Sequence, residues 1–172
     1  VSHLRKYYPN LKVNRILDLG CGVGHNTVPL AKAYPNARVV GVEIGAAMVR
    51  FAHLRAEGLG VPIDFIQANA EDTGLEEASF DIVVSQILLH ETSPEAMERI
   101  LKESVRLVRP GGVVLHLEVP IRFSALDPID RALGSWEHWY NAESNILASA
   151  STDFVNKLKE LGLKDVIEGY QP

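Results

Sequence analysis

The chain is predicted to fold as an α/β domain, a doubly wound and mostly parallel sheet with helices on both faces. Three observations carry this expectation. Five short apolar runs of strand type alternate with segments of helical periodicity. The first run passes straight into a glycine-rich turn, Gly20-Cys21-Gly22-Val23-Gly24, with a helix opening behind it. The residues that close the runs are Gly20, Glu43, Gln67 to Glu71, and Ser85 with Gln86. In a parallel sheet all of them gather at one edge, where such a fold opens its ligand crevice.

Taken in order, Ser2 to Asn10 is polar and aromatic and reads as the end of a helix that begins upstream. Arg15–Leu19 is the first strand. Asn26 to Tyr34 is a helix, with Pro29 tolerated in its first turn and Pro35-Asn36 closing it. Arg38–Glu43 is the second strand. Ala46 to Glu57 spaces Met48, Phe51, Ala52 and Arg55 as a helix does, and Gly58 stands where a C-terminal cap belongs. Pro62–Gln67 and Phe80–Ser85 are the third and fourth strands. Ser93-Pro94-Glu95 supplies a hydroxyl N-cap, a proline at the first helical position and an acid in the first turn. The helix behind it carries Met97, Ile100, Leu101, Ser104 and Val108 on one face and ends at Arg109-Pro110-Gly111-Gly112. Val113–Val119 is the fifth strand. Pro120 to Ala150 breaks the alternation, with a helix around Arg131–Glu143. Thr152 to Leu161 is a closing amphipathic helix capped by Gly162, and Lys164–Tyr170 is a strand-like run.

A length of 172 residues fits one domain with a real core. The 47% hydrophobic and 23% charged composition is that of an ordinary globular protein. No apolar run approaches the ~20 residues that span a bilayer, and no signal segment opens the chain. The single cysteine, Cys21, excludes an internal disulfide and a cysteine-based metal cluster, so no metal is expected and a cytoplasmic location is favoured. Net charge is −5 and the 17 basic residues are scattered, which argues against a nucleic-acid partner. The chain opens at Val1 and stops at Gln171-Pro172 just after a strand-like run, which reads as a piece of a longer protein or a trimmed chain.

The glycine turn alone does not separate two ligand classes. Gly20, Gly22 and Gly24 give G-x-G-x-G, and neither His25 nor Asn26 supplies the third glycine of a dinucleotide fingerprint. Asp18, two residues before the first glycine, suits a cationic ligand. Glu43 lies 19 residues beyond Gly24 at a strand end, where a carboxylate can accept from both ribose hydroxyls.

The run Ile16-Leu17-Asp18-Leu19-Gly20-Cys21-Gly22-Val23-Gly24 resembles the "LDLGCGxG" motif of class I S-adenosylmethionine (SAM)-dependent methyltransferases. Ile66 to Asp72 is similar to the family's "QGDAEDLPF" segment, Phe80 to Gln86 to its fourth strand, and Arg109-Pro110-Gly111-Gly112 to its "LKPGG" turn. These motifs come in the family's order over residues 14–119. The resemblance implies a Rossmann-like sheet, SAM as cofactor and S-adenosylhomocysteine as product. It also implies transfer of a methyl group to oxygen or carbon of a small-molecule acceptor by in-line displacement. It assigns the cofactor to Asp18, Gly20, Gly22, Gly24, Glu43, Ile44, Ala70, Glu71, Ser85 and Gln86. Ala70 and Glu71 face the adenine, with Asp72 the alternative. Backbone near Ser85 and Gln86 lies under the methionine end, and Asp81 is a structural acid at a strand start. Gly45-Ala46-Ala47 departs from the family's Ser-Pro, as Asn69 does from its Asp. Of the family's final antiparallel pair only one strand is expected.

The candidate general base is His90, with Glu91 beside it, on the loop after the fourth strand. The alternative is a polar loop residue. His25 reads as a first-turn helix residue and Cys21 as a small buried filler. Trp136, Trp139 and Tyr140, at i, i+3 and i+4, are either a packed helix face or part of an acceptor pocket for a phenol, quinone or polyketide. The chain is thus expected to be a single domain, with its core at 14–119, an acceptor or lid insertion at 120–150 and a closing helix and strand at 151–172. A homodimer is compatible with this reading, and neither membrane nor nucleic acid is expected as a partner. Two other functions stay open: a non-catalytic SAM-binding domain or inactive fragment of a larger enzyme, and an NAD-dependent oxidoreductase.

Overall fold

The structure is a computed structural model that describes residues 1–118, 127–140 and 145–169. In chain order it forms α1 (Ser2–Tyr7), β1 (Arg15–Leu19), α2 (Thr27–Ala33), β2 (Arg38–Glu43), α3 (Ala46–Gly58), β3 (Asp64–Gln67) and β4 (Phe80–Gln86). A short 3-10 turn (Leu89–Glu91) follows, then α4 (Pro94–Leu107), β5 (Val108–Leu117), α5 (Pro128–Tyr140), α6 (Ile146–Ser151) and α7 (Phe154–Glu160). The strands pair in parallel in the order β3-β2-β1-β4-β5. β1 lies at the centre, and the chain reverses direction across the sheet between β1 and β4. The α/β doubly wound expectation therefore holds.

Strand alternation sorts the core into two layers. Leu17, Leu19, Val40, Val42 and Val83 face α4, through Met97, Ile100, Leu101 and Leu107, with Phe154 and Leu158 of α7 packed behind. Ile16, Val39, Ile82 and Val84 face the other way, onto Leu4 of α1 and Leu30 and Ala31 of α2. Both faces of the central strands are covered, which is why they read as unbroken apolar runs rather than alternating ones. The N-terminus of α4 is built as its sequence requires, with the Ser93 hydroxyl accepting from the Ala96 N–H at 3.2 Å.

Where β1 and β4 begin, the sheet is stapled by Asp81. Its carboxylate accepts from the backbone N–H groups of Asn14 (2.6 Å) and Arg15 (2.7 Å) and from the Arg109 guanidinium. Burial by itself raises its pKa, but these donors outweigh burial and hold the carboxyl below its ordinary range. Asp81 is thus the structural acid it was read to be.

Four elements differ from expectation. Lys164–Gly169 forms no strand. Asp165 sits in the left-handed region (φ 54°), which breaks an extended run, and no neighbouring strand offers it a ladder. Tyr170, the last residue of that expected strand, lies outside the described residues. β5 consequently ends the sheet, and a groove of about 1370 Å³ runs between β5 and the segment after α7. Arg109-Pro110-Gly111-Gly112 is not a turn ahead of β5 but its opening, taken up as an irregularity opposite Phe80 and Ile82, with Gly111 at φ 76°. On α3 only Ala52 and Ala56 are buried, while Met48 and Phe51 are exposed. The left-handed cap of that helix is Gly60, two residues beyond the expected Gly58. The expected closing helix forms as α7, capped by the Asp153 side chain, but an unexpected short helix, α6, precedes it. No helix among the described residues is long and apolar enough to cross a membrane.

Asp81→Ala strands two strand-edge N–H groups and a guanidinium at once. It is expected to lower stability by about 3 kcal/mol, read as a fall in the urea midpoint with an unchanged m-value.

Candidate cofactor site

Because the five strands are parallel, the loops that follow them share one edge of the sheet. Gly20 follows β1, Glu43 and Ile44 close β2, Ala68 to Asp72 follow β3, Gln86 ends β4 and Glu118 follows β5. Every cofactor residue expected from the sequence reaches this edge except Asp18 and Ser85. Those two lie within β1 and β4, one residue short of the strand's last.

The glycine turn works through left-handed backbone and open space. Gly20 and Gly22 take φ 66° and 53°. A Cβ on Gly22 would meet nothing within 4 Å, so a side chain there would occupy the space above the turn. A Cβ on Gly20 would fall 2.6 Å from Leu88 Cδ1, which brings the turn after β1 against the loop after β4.

Glu43 is held by both neighbouring turns. Its Oε2 accepts from the Gly22 N–H at 3.1 Å and its Oε1 from the Gly45 N–H at 2.8 Å. Each oxygen keeps acceptor capacity, and the carboxylate cannot swing away. Exposed Ile44 (65%) is fixed beside it, its carbonyl accepting from the Gln67 amide Nε2 at 3.3 Å.

Asp18 is buried at 1% exposure. Its Oδ2 accepts from the Thr27 hydroxyl at 2.6 Å, and its Oδ1 from Asn26 Nδ2 at 3.4 Å. None of the ion pairs among the described residues involves it. Burial without a cationic partner pushes its carboxyl up to about 6, against the pull of the two hydrogen bonds. Thr27 and Asn26 escaped the reading of the sequence; they follow the glycine turn as ordinary helix-start residues, and only the fold aims them at Asp18.

Cys21 is buried, and burial together with the Asp18 and Glu43 carboxylates pushes its thiol up to about 12. It is a filler and no nucleophile. His25 is exposed in the turn ahead of α2 rather than in the helix.

On the β3 side Ala70 is buried and Glu71 pairs with Arg99 of α4, which holds its carboxyl below the ordinary range. Its Oε2 is taken by Arg99, while Oε1 has only a 3.4 Å contact to Asn69 Nδ2. Asp72 is exposed. The loop itself is anchored by Glu103, buried on α4, which accepts from the Thr73 N–H and hydroxyl and from Arg106.

On the β4 side Ser85 is fully buried, its hydroxyl 2.8 Å from His116 Nδ1. His116 Nε2 lies 3.2 Å from Ser104 Oγ, whose own proton goes to the Leu101 carbonyl at 2.8 Å. The ring must therefore donate from Nε2 and accept the Ser85 proton at Nδ1. Burial lowers His116 to about 4, so it stays neutral. Ser85 thus faces the site with its backbone alone.

His90 is buried, with Nδ1 2.8 Å from Glu118 Oε2 and Nε2 3.6 Å from Glu91 Oε1. Glu118 is a further residue that sequence reasoning missed. It directly follows β5, an acid at a strand end like Glu43 on β2, which is the signal that marks it. Trp136 and Tyr140 stack at 5.7 Å on α5 and are exposed, so the packed-face reading of that stripe fails for these two. The side chain of Trp139 lies outside the described residues.

Residues 16–112 match the methyltransferase domain family, and the chain belongs to it. It is 35% identical over 103 residues to a ubiquinone biosynthesis O-methyltransferase of Maricaulis maris, covering 59% of this chain and 39% of that protein. It is 30% identical over 147 residues to a 4-amino-L-phenylalanine/4-methylamino-L-phenylalanine methyltransferase of Streptomyces pristinaespiralis, covering 72% of this chain and 50% of that one. The chain thus spans half or less of the length of these two relatives. Among solved structures, phosphoethanolamine N-methyltransferase 2 of Haemonchus contortus, in complex with SAM, superposes with a TM-score of 0.73 at 20% identity. That match covers 95% of this chain and 36% of the other, and it shows the shared fold.

The Asp18 carboxyl titrates near 6 in the folded chain and near 3.8 when unfolded. The folded state therefore binds the proton more tightly, and stability falls as pH rises through about 4 to 6. Asp18→Asn should remove that slope and raise stability at pH 7.5 by on the order of 1–3 kcal/mol in denaturant melts.

Proposed function

We propose that this domain binds SAM across the carboxyl ends of β1 to β4 and transfers its methyl group to oxygen or carbon of a small apolar acceptor, leaving S-adenosylhomocysteine. The observation that carries the reading is the Glu43 carboxylate, fixed by the Gly22 and Gly45 N–H groups beside an open glycine turn. A carboxylate in that position is preorganised to accept a ribose diol.

The residues fit this cofactor better than a dinucleotide. Asp18 has no cation, and two acids, Asp18 and Glu43, flank the glycine turn. Such a site attracts a positively charged ligand and repels a pyrophosphate. Gly20, Gly22 and Gly24, with the Ser85 and Gln86 backbone, would hold the methionine part, and Glu43 and Ile44 the ribose. Ala70 would lie on the adenine ring and Glu71, through its less occupied Oε1, would accept from the adenine amino group, with Asp72 the alternative.

When bound, SAM supplies a methyl carbon on a positively charged sulfur, which leaves as a neutral thioether with the electron pair of the broken bond. The chain's contribution is alignment and exclusion of water. His90 is the group at this edge suited to take a proton from an acceptor that must lose one. The exposed stripe Ile129, Leu133, Trp136 and Tyr140, at i, i+4, i+7 and i+11 of α5, supports an apolar, aromatic acceptor such as a phenol, quinone or polyketide. The relative named as a ubiquinone biosynthesis O-methyltransferase supports this acceptor class, whereas the one named for 4-amino-L-phenylalanine and 4-methylamino-L-phenylalanine is named for an aromatic amine.

Calorimetric titration with SAM, S-adenosylhomocysteine and NADH tests the reading. Micromolar binding of the first two is expected, with no NADH binding and a loss of at least about 50-fold in Glu43→Ala. A wild type that binds NADH, or that ignores SAM, overturns it.

A further inference from the structure

We propose that Glu118 is a positioning residue for the reaction, resting on the methyl-transfer reading above: it fixes the His90 proton on Nδ1 and leaves Nε2 as the basic atom of the ring. Glu118 stands immediately after β5, and both of its oxygens are committed to the loop after β4. Oε1 accepts from the N–H groups of Leu88 (3.0 Å) and Leu89 (2.8 Å), and Oε2 lies 2.8 Å from His90 Nδ1. An ionised carboxylate can only accept, so the ring must donate from Nδ1, and the neutral imidazole keeps its lone pair on Nε2.

The His90 ring is buried with its Nδ1 against Glu118. The His90 side chain is 5% exposed, whereas Glu91, whose Oε1 lies 3.6 Å from Nε2, is 58% exposed. Nε2 is the end of the ring that faces this exposed acid. The 3.6 Å separation is too long for a hydrogen bond, so Nε2 is not tied up by Glu91. When Nε2 takes a proton, the imidazolium has a carboxylate on each side.

The same carboxylate holds the backbone that carries the ring. Ile87, at φ 55°, is a β-branched residue in the left-handed region, a conformation that persists only where its surroundings fix it. Its N–H is bound by the Leu117 carbonyl at 2.8 Å, and the next two N–H groups end on Glu118. Leu88, between them, closes on Gly20 of the cofactor turn. Glu118 thus ties the proton acceptor to the cofactor edge. In the reaction the acceptor's proton goes to Nε2, and the electron pair left on the acceptor forms the new bond to the methyl carbon.

Long-range ¹H–¹⁵N spectra of the histidine rings, with His90→Gln to assign the signal, read the tautomer directly. The wild type should carry its proton on Nδ1. In Glu118→Gln the amide oxygen is kept by the Leu88 and Leu89 N–H groups, so its NH₂ faces the ring and drives the proton to Nε2. That variant should bind SAM within about twofold of wild type yet methylate catechol, used as a probe phenol, about 100-fold more slowly in kcat with little change in KM. A wild-type ring protonated on Nε2 instead of Nδ1, or a Glu118→Gln enzyme of unchanged kcat, overturns the proposal. The wild-type spectrum decides it even if the variant fails to fold. A wild type that binds SAM but leaves catechol and other phenols unmethylated counts against the methyl-transfer reading, while the ring spectrum still judges Glu118.

Discussion

Glu43 accepts the N–H of Gly22 on one side and of Gly45 on the other, and so joins the turn after β1 to the turn after β2. The same device recurs along the sheet. Glu118 gathers the N–H groups of Leu88 and Leu89, Asp81 those of Asn14 and Arg15, and Glu103 that of Thr73. Loops leaving parallel strands carry backbone donors that no ladder satisfies, and a carboxylate offers acceptors enough for several of them. Each acid therefore does for a loop what the sheet does for a strand. These contacts tie the loops at the carboxyl end of the sheet to one another and to the helices.

Asp18 is the exception, and the contrast is informative. Asp81 is also deeply buried, but a guanidinium and two N–H groups hold it well ionised. Asp18 has a hydroxyl and a distant amide, and its ionised form is disfavoured. One acid serves the fold, while the other sits uncompensated beside the glycine turn. A carboxylate kept short of partners is a poor contribution to stability and a good one to holding a cation.

His116 and His90 separate in the same way. His116 is enclosed by two hydroxyls in the sheet layer and kept neutral by burial. His90, on the loop beyond the sheet, lies between two carboxylates, one of them open to solvent. Residue type does not distinguish these rings. Their neighbours do, and the neighbours come from strands and helices distant in the chain.

What the sequence determined by itself was everything local or periodic. The apolar runs of Arg15–Leu19, Arg38–Glu43 and Phe80–Gln86, the Ser93 cap and the left-handed glycines follow from side-chain pattern and backbone sterics, which need no partner to be read. Because parallel strands bring their carboxyl ends together, Gly20, Glu43, Ala70, Glu71 and Gln86 could be assembled into one edge from order alone. Only the tertiary structure decided which residues meet across that edge. Glu118 on His90, Arg99 on Glu71 and Thr27 on Asp18 bridge separations of 28, 28 and 9 residues. It also decided that Lys164–Gly169, apolar enough for a strand, forms none, since a strand exists only where a neighbour supplies its ladder. Met48 and Phe51 are exposed for a related reason: helical spacing marks a face, but the sheet decides which face it covers.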